Sequence, residues 1–177
     1  MAFITLKGDI WLSLHFESGH TLCVYDWSNT PTHCVRELQI HKNGKPYLAY
    51  IDPPNRIEWF KCYYATYPNV LGSKIALTES SNKKTLSISA ENGDQVELEV
   101  TLGDWIDYSQ PPSEGKTSTG KQFINQPFKI GPIAAATATI NGNSLGKLIP
   151  LPFTIMPGDY ELPNVAFVNR CEMALES

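Results

Sequence analysis

The stretch from Asp9 to Trp27 constrains this chain most. It reads DIWLSLHF, then ESGH, then TLCVYDW. Ile10, Leu12, Leu14 and Phe16 alternate with Trp11, Ser13 and His15. Successive side chains of a strand point to opposite faces, so this rhythm predicts one apolar face and one mixed face. Gly19 permits a tight reversal, and Leu22 and Val24 resume the alternation on the return. The prediction is a β-hairpin whose mixed face carries Trp11, His15, Tyr25 and Trp27.

The same period continues along the chain. Phe3 to Lys7 reads as a short first strand. After a loop from Ser28 to Thr32, with Pro31 fixing its path, His33 to His41 reads as a strand with Cys34, Arg36, Leu38 and Ile40 on one face. Asn43-Gly44 is a strong hairpin signal, because both central residues of that turn need positive φ. Tyr47 to Ile51 returns, and Pro53-Pro54 stops it. Arg56 to Tyr64, RIEWFKCYY, reads as the most aromatic strand, apolar on both faces and so covered on both. Ser73 to Glu79, Thr85 to Ala90 and Gln95 to Leu102 then form a meander, turned at Ser80-Ser81-Asn82 and Asn92-Gly93. Asp104 to Tyr108, which carries Trp105, leads into Ser109 to Lys121. That segment, SQPPSEGKTSTGK, has too little apolar area to offset its ordering entropy and is predicted as a mobile loop. It reads either as a lid or as a plain exposed loop.

Beyond it, Phe123 to Ile130 is a strand interrupted by Pro127, and Ala134 to Ile140 is a second, turned by Asn141-Gly142-Asn143. Lys147 to Ile155 carries Pro150 and Pro152, which places it at a sheet edge or at a bulge. Val165 to Met173 closes the chain with a short helical end. Turn signals recur about every eight to twelve residues, the mark of an all-β chain. Short connections favour an antiparallel up-and-down β-barrel of about eight or more strands, lipocalin-like, with room for one small ligand. The alternative is a β-sandwich or jelly roll.

Composition bounds the function. A chain of 177 residues suits a single domain over 1–177 and needs no staple to bury a core. The net charge of −4, with no Lys/Arg cluster, argues against a nucleic-acid partner. No run is long and apolar enough for a membrane span, and the N-terminus lacks a signal-peptide core. Cys23, Cys34, Cys62 and Cys171 form no Cys-x-x-Cys pair. They read as reduced thiols of a cytoplasmic protein, with a Cys23–Cys34 bridge as the alternative. His33 and His41 share a face but lie too far apart to hold one metal, and no phosphate loop, nucleophile elbow or dinucleotide fingerprint occurs. No metal and no cofactor is therefore expected.

Trp11-Leu12-Ser13-Leu14, through Ser18-Gly19 to Leu22 and Tyr25, resembles a strand pair in the lipocalin-like domains of the carotenoid hydratase family and the related fungal decalin-forming Diels–Alderases. The Asn43-Gly44 turn and Ile51-Asp52-Pro53 are similar to the next part of those domains. The match covers the first half of the chain. Asn141-Gly142 and Gly146 echo the closing glycine-rich strand, but Leu148 to Thr154 stands where that strand has its Glu and Tyr. Those families use two such domains, so single-barrel cyclases of bacterial natural-product pathways are the closer analogue in size. The resemblance implies a fold and an apolar-ligand cavity, and no catalytic residue.

Chemistry then rests on single residues. His15 can act as a general acid or base, because imidazole titrates near neutral pH, or be an inert half-buried histidine. Glu58, Trp59, Tyr63 and Tyr64 form the best constellation. Their aromatics can line a pocket around a conjugated or ring-bearing ligand, and a carboxylate or phenol among them can hydrogen-bond its carbonyl. The plainer reading is a space-filling core strand. The candidate catalytic residues are therefore His15, Glu58 and Tyr63, and the candidate substrate-binding residues are Trp11, Tyr25, Trp27, Trp59, Tyr64 and Trp105. Two functions are compatible with this set. One is a cofactor-independent biosynthetic cyclase or isomerase, Diels–Alderase-like, that holds an apolar polyene-type substrate inside the barrel by proximity and orientation. The other is a non-catalytic carrier of an apolar ligand, or a sandwich that binds carbohydrate. A homodimer stays open as a further partner.

Overall fold

The computed structural model describes residues 2–30 and 34–177, which leaves Pro31 and His33 outside the described residues. Among the described residues twelve strands form one sheet. Strand β1 (Phe3–His15) pairs antiparallel with β2 (His20–Asp26), β2 with β3 (Arg36–Lys42), and β3 with β4 (Lys45–Asp52). Strands β5 (Val70–Ser80), β6 (Lys83–Ala90) and β7 (Gln95–Leu102) form the expected meander. Short β8 (Ile106–Asp107), β9 (Ser113–Lys116) and β11 (Asn143–Ser144) all lie on β10 (Gln122–Ile140). The last strand, β12 (Phe167–Glu176), pairs along β1.

Strand β10 closes the sheet into a ring. Its first half, Phe123 to Pro132, pairs with β12, and its second half, from Ile133 to Ile140, pairs with β7. The sequence reads as two strands here, and Pro127 and Pro132 both lack an N–H to donate to a ladder. The chain instead stays extended through both, with a register shift between Pro127 and Lys129, and exchanges partners just past Pro132. Rather than a free loop over 109–121, Ser113–Lys116 is paired on β10. Ser118 Oγ donates to the Tyr63 carbonyl at 3.2 Å and Thr119 Oγ1 to the Cys62 carbonyl at 2.6 Å. Val165 to Met173 has no helical end: a strand begins at Phe167 and runs on to Glu176.

The sheet is not purely antiparallel, and RIEWFKCYY is the reason. Pro54–Arg56 is a single 3₁₀ turn and Ile57–Lys61 a short helix, α1, so the predicted strand from Arg56 to Tyr64 does not form. Proline in the first turn suits a helical start, since its missing N–H would be unsatisfied there anyway. The Tyr64 N–H donates to the Phe60 carbonyl at 3.0 Å. The crossover through α1 carries the chain back, so β5 runs parallel to β4, with Ala49 opposite Val70. A parallel pair requires such a crossover, because a tight turn can only reverse direction.

A bulge decides which way the first hairpin faces. The β1–β2 register shifts between Trp11 and Leu14, and Ser13 takes φ of 61°. Beyond the shift, Leu14 and Phe16 join Trp11 on one face, so the predicted grouping of Trp11, His15, Tyr25 and Trp27 is broken. Trp11 sits opposite Val24, whereas Tyr25 sits opposite Ile10 on the other face. Two buried clusters result. The first, with Trp11, Phe16, Leu38, Ile75, Leu98 and Val168 among its members, draws on every strand of the ring and fills its interior. The second, with Ile10, Tyr25, Trp27, Phe60, Phe123 and Leu175, occupies the outer face of β10, β12 and β1 to β4. Helix α1 and the segment from 151 to 162 cover that face. Leu151, Ile155 and Leu162 are buried in it, so Lys147 to Ile155 packs as a cover rather than an edge strand. The four cysteines are free thiols. Among the described residues no helix is long and apolar enough to cross a membrane.

Candidate active site

The outer-face cluster leaves a cavity of about 310 Å³. That volume lies at the low end of the range for small-molecule sites. It does not lie inside the ring: none of the buried residues of the first cluster lines it. Its floor is a row across four strands. Asn169 on β12 pairs with Ile10 on β1, Ile10 with Tyr25 on β2, and Tyr25 with Glu37 on β3, and all four line the cavity. Its roof is Trp59, Tyr63 and Tyr64 from α1 and the turn after it, together with Tyr160. Leu6, Leu12, Trp27 and Phe123 complete apolar walls. The roof aromatics are held by one another: Trp59 meets Tyr63 edge-on at 4.9 Å between centroids, and Phe60 anchors Tyr64 at 5.2 Å.

Glu37 is the chemically distinctive group. Its side chain is 2% exposed. Gln39 Nε2 donates to its Oε2 at 3.0 Å, and the Tyr67 hydroxyl donates to Gln39 Oε1 at 2.9 Å. Burial pushes the Glu37 carboxyl up to about 7, against the opposing pull of the Gln39 hydrogen bond. His41 flanks the chain at 3.4 Å from the Tyr67 hydroxyl. Burial brings its imidazole down to about 4, so it is neutral and adds no cation that would hold Glu37 ionised. The Tyr64 and Tyr25 hydroxyls are hydrogen-bonded to that of Tyr160. Burial raises Tyr25 and Tyr64 well above their ordinary range and Tyr160 to about 12, so all three stay protonated donors at neutral pH.

The structure brings five of the sequence-derived candidates to this cavity: Tyr25, Trp27, Trp59, Tyr63 and Tyr64. Four lie elsewhere. Trp11 points into the ring interior, with Lys84 Nζ 5.9 Å from its ring centroid. His15 is buried, its Nδ1 2.8 Å from Thr21 Oγ1 and its ring edge-on to Phe153. Glu58 points to solvent and pairs with Lys61. Trp105 packs against Gly131 and beneath the Arg170 guanidinium, 4.6 Å away. Sequence reasoning missed Glu37, Asn169, Asn125 and Tyr160. Glu37 had one signal: Glu37, Gln39 and His41 alternate with apolar residues, and a strand covered on both faces must bury them.

A second set of charges lies on the ring side of the sheet. Asp9 accepts from Lys84 Nζ at 2.9 Å and from Arg170 at 2.9 and 3.0 Å. Lys84 also reaches Glu79 at 2.8 Å. Burial alone would raise the Asp9 carboxyl. The Arg170 and Lys84 hydrogen bonds and charges outweigh it and hold Asp9 below its ordinary value. These four groups pair with one another, and none of them lines the cavity described above.

No family model and no curated protein matches the sequence. The fold is similar to solved structures of the enduracididine biosynthesis enzyme MppR. With HEPES buffer bound, that enzyme gives a TM-score of 0.50 at 10% identity, over 99% of this chain and 86% of that one. Its complex with the condensation product of pyruvate and imidazole 4-carboxaldehyde gives 0.47 at the same identity and coverage. At that identity the likeness is one of fold.

Proposed function

We propose that this chain is a small-molecule biosynthetic enzyme, a cofactor-independent isomerase or cyclase acting on an apolar, ring-bearing or polyene-type substrate. The reaction takes place in the cavity on the outer face of the ring. The observation that carries this reading is Glu37, a buried carboxyl with a pKa of about 7 on the floor of an apolar pocket. A general acid–base group works best when its pKa lies near the working pH, since both forms are then populated. Ionised, Glu37 takes a proton from carbon next to a substrate carbonyl. Protonated, it returns that proton elsewhere on the conjugated system. The hydrogen-bonded cluster of Tyr25, Tyr64 and Tyr160 hydroxyls supplies a donor for the oxygen on which negative charge develops. Trp27 and Trp59 hold the ring system, so that orientation supplies part of the acceleration. The fold's likeness to a biosynthetic enzyme is in keeping with this reading.

The test is deuterium exchange. 4-Phenylcyclohexanone is incubated with the protein in deuterated buffer, and label next to the carbonyl is followed by NMR. Exchange catalysed by the wild type should fall by about 10²–10⁴ in Glu37→Gln, the usual contribution of a positioned acid or base. Its rate should rise through pH 7 as the carboxyl ionises. Saturable binding with no exchange above the buffer rate would instead make the protein a carrier. A Diels–Alder-type closure driven by confinement alone would survive Glu37→Gln unchanged.

A further inference from the structure

We propose that the natural substrate is bifunctional, with a carbonyl at the Glu37 end and an O–H or N–H donor at the other, separated by a rigid apolar body. This rests on the reading of the cavity as a substrate site. Its own support is Asn169, which lines the cavity, is 4% exposed, and has an amide oxygen with no hydrogen-bond partner among the described residues. A buried polar atom left unpaired is costly, and native proteins seldom keep one without a reason. A donor on a bound guest supplies the missing partner. Ile10, which separates Asn169 from Tyr25 in the row, carries no polar side-chain group, and Tyr25 is the immediate neighbour of Glu37.

The register fixes the length of the guest. Asn169, Ile10, Tyr25 and Glu37 lie opposite one another on four successive strands. Strands lie about 4.8 Å apart, so the two polar ends stand about 14 Å apart. Two hydrogen bonds of about 2.8 Å leave roughly 9 Å between the polar atoms of the guest. Asn125 on β10 repeats the pattern: it lines the cavity, is buried, and keeps an amide oxygen with no partner among the described residues. It sits level with Met173 rather than with Glu37, so a branched guest would reach it with a second donor.

Three probes of one shape test this: 4-(4-hydroxyphenyl)cyclohexanone, 4-phenylcyclohexanone and cyclohexylbenzene, titrated by calorimetry. The hydroxyketone should bind the wild type at least tenfold more tightly than the ketone that lacks the hydroxyl. Asn169→Leu should erase that preference by weakening the hydroxyketone alone. Retained binding of 4-phenylcyclohexanone then shows that the variant keeps its pocket. Should the variant fail to fold, the wild-type comparison decides by itself, since equal affinity for the two ketones overturns the proposal. A preference that survives Asn169→Leu also overturns it, unless Asn125→Leu removes that preference and moves the donor to that corner. Preference without deuterium exchange would sink the enzymatic reading and leave this one standing. Exchange without preference would do the reverse.

Discussion

The two faces of this sheet are both buried, yet they are built for different ends. Inside the ring, buried apolar side chains from every strand form one cluster, and the charged groups Asp9, Lys84, Arg170 and Glu79 on that side pair with one another. On the outer face the cover is a short helix and an irregular segment. Under it lie a cavity, an unpaired amide and a carboxyl displaced toward neutrality. A closed ring can satisfy all of its backbone and pack all of its interior, which leaves no room for a guest. Strands plus a loose cover leave room, and the polar groups under it are not fully matched. Stability and the proposed function thus fall to opposite faces of the same strands.

Truncation in the ring should show the largest effect. Phe16 is fully buried there, and Phe16→Ala should cost about 4 kcal/mol of unfolding free energy. Urea denaturation measures it. A loss below about 1 kcal/mol would mean that the interior is not the close-packed half of the molecule. Next comes the charge network. Lys84→Met leaves Asp9 buried with Arg170 as its remaining cation and should cost about 3 kcal/mol. Such buried charges are screened weakly, so raising the salt concentration should hardly change that figure.

Glu37 should respond to pH in the opposite sense to an ordinary paired carboxylate. Its folded pKa of about 7 stands above its ordinary value of 4.5. Below both values the folded and unfolded chains are equally protonated at this site. As pH rises between them the unfolded chain ionises first, so the group makes folding less favourable. The full effect is reached above about pH 7 and is worth roughly 3 kcal/mol. Glu37→Gln should therefore match the wild type near pH 4 and be the more stable protein at pH 8. Equal stabilities at both pH values would place Glu37 in water rather than under the cover.

How much of this could be read beforehand depends on the signal. The hairpin turns at Asn43-Gly44 and Asn92-Gly93, and the meander from Ser73 to Leu102, were legible because period-two alternation and turn chemistry are local. The segment RIEWFKCYY was not. Trp59 and Tyr63, like Phe60 and Tyr64, are spaced four apart, which satisfies a helix and an alternating strand equally. Missing that helix also hid the parallel β4–β5 pair, because the crossover is what permits it. Five aromatic candidates reached the cavity nonetheless, since either conformation concentrates them in one place. The bulge at Ser13 left no mark that a serine elsewhere would not leave. Asn169 and Glu37 come together only through the β12–β1–β2–β3 register, and nothing within the chain near either residue encodes it.

Trp59→Ala should have the smallest effect on stability and the clearest one on function. Trp59 is half-buried and belongs to the cover, in edge contact with Tyr63 and without a place in the ring. Removing it strips one wall from a space that is already open, so the cavity penalty of a core truncation does not arise. The expected loss is about 1 kcal/mol of stability, with the Phe16→Ala contrast intact. A guest loses a large aromatic face and gains water beside its own apolar surface. Affinity for 4-phenylcyclohexanone should fall about tenfold, in keeping with roughly 1.5 kcal/mol for an aromatic contact. If Trp59→Ala instead destabilised the fold as much as Phe16→Ala, the cover would be part of the folding core. The division of labour between the two faces would then be lost.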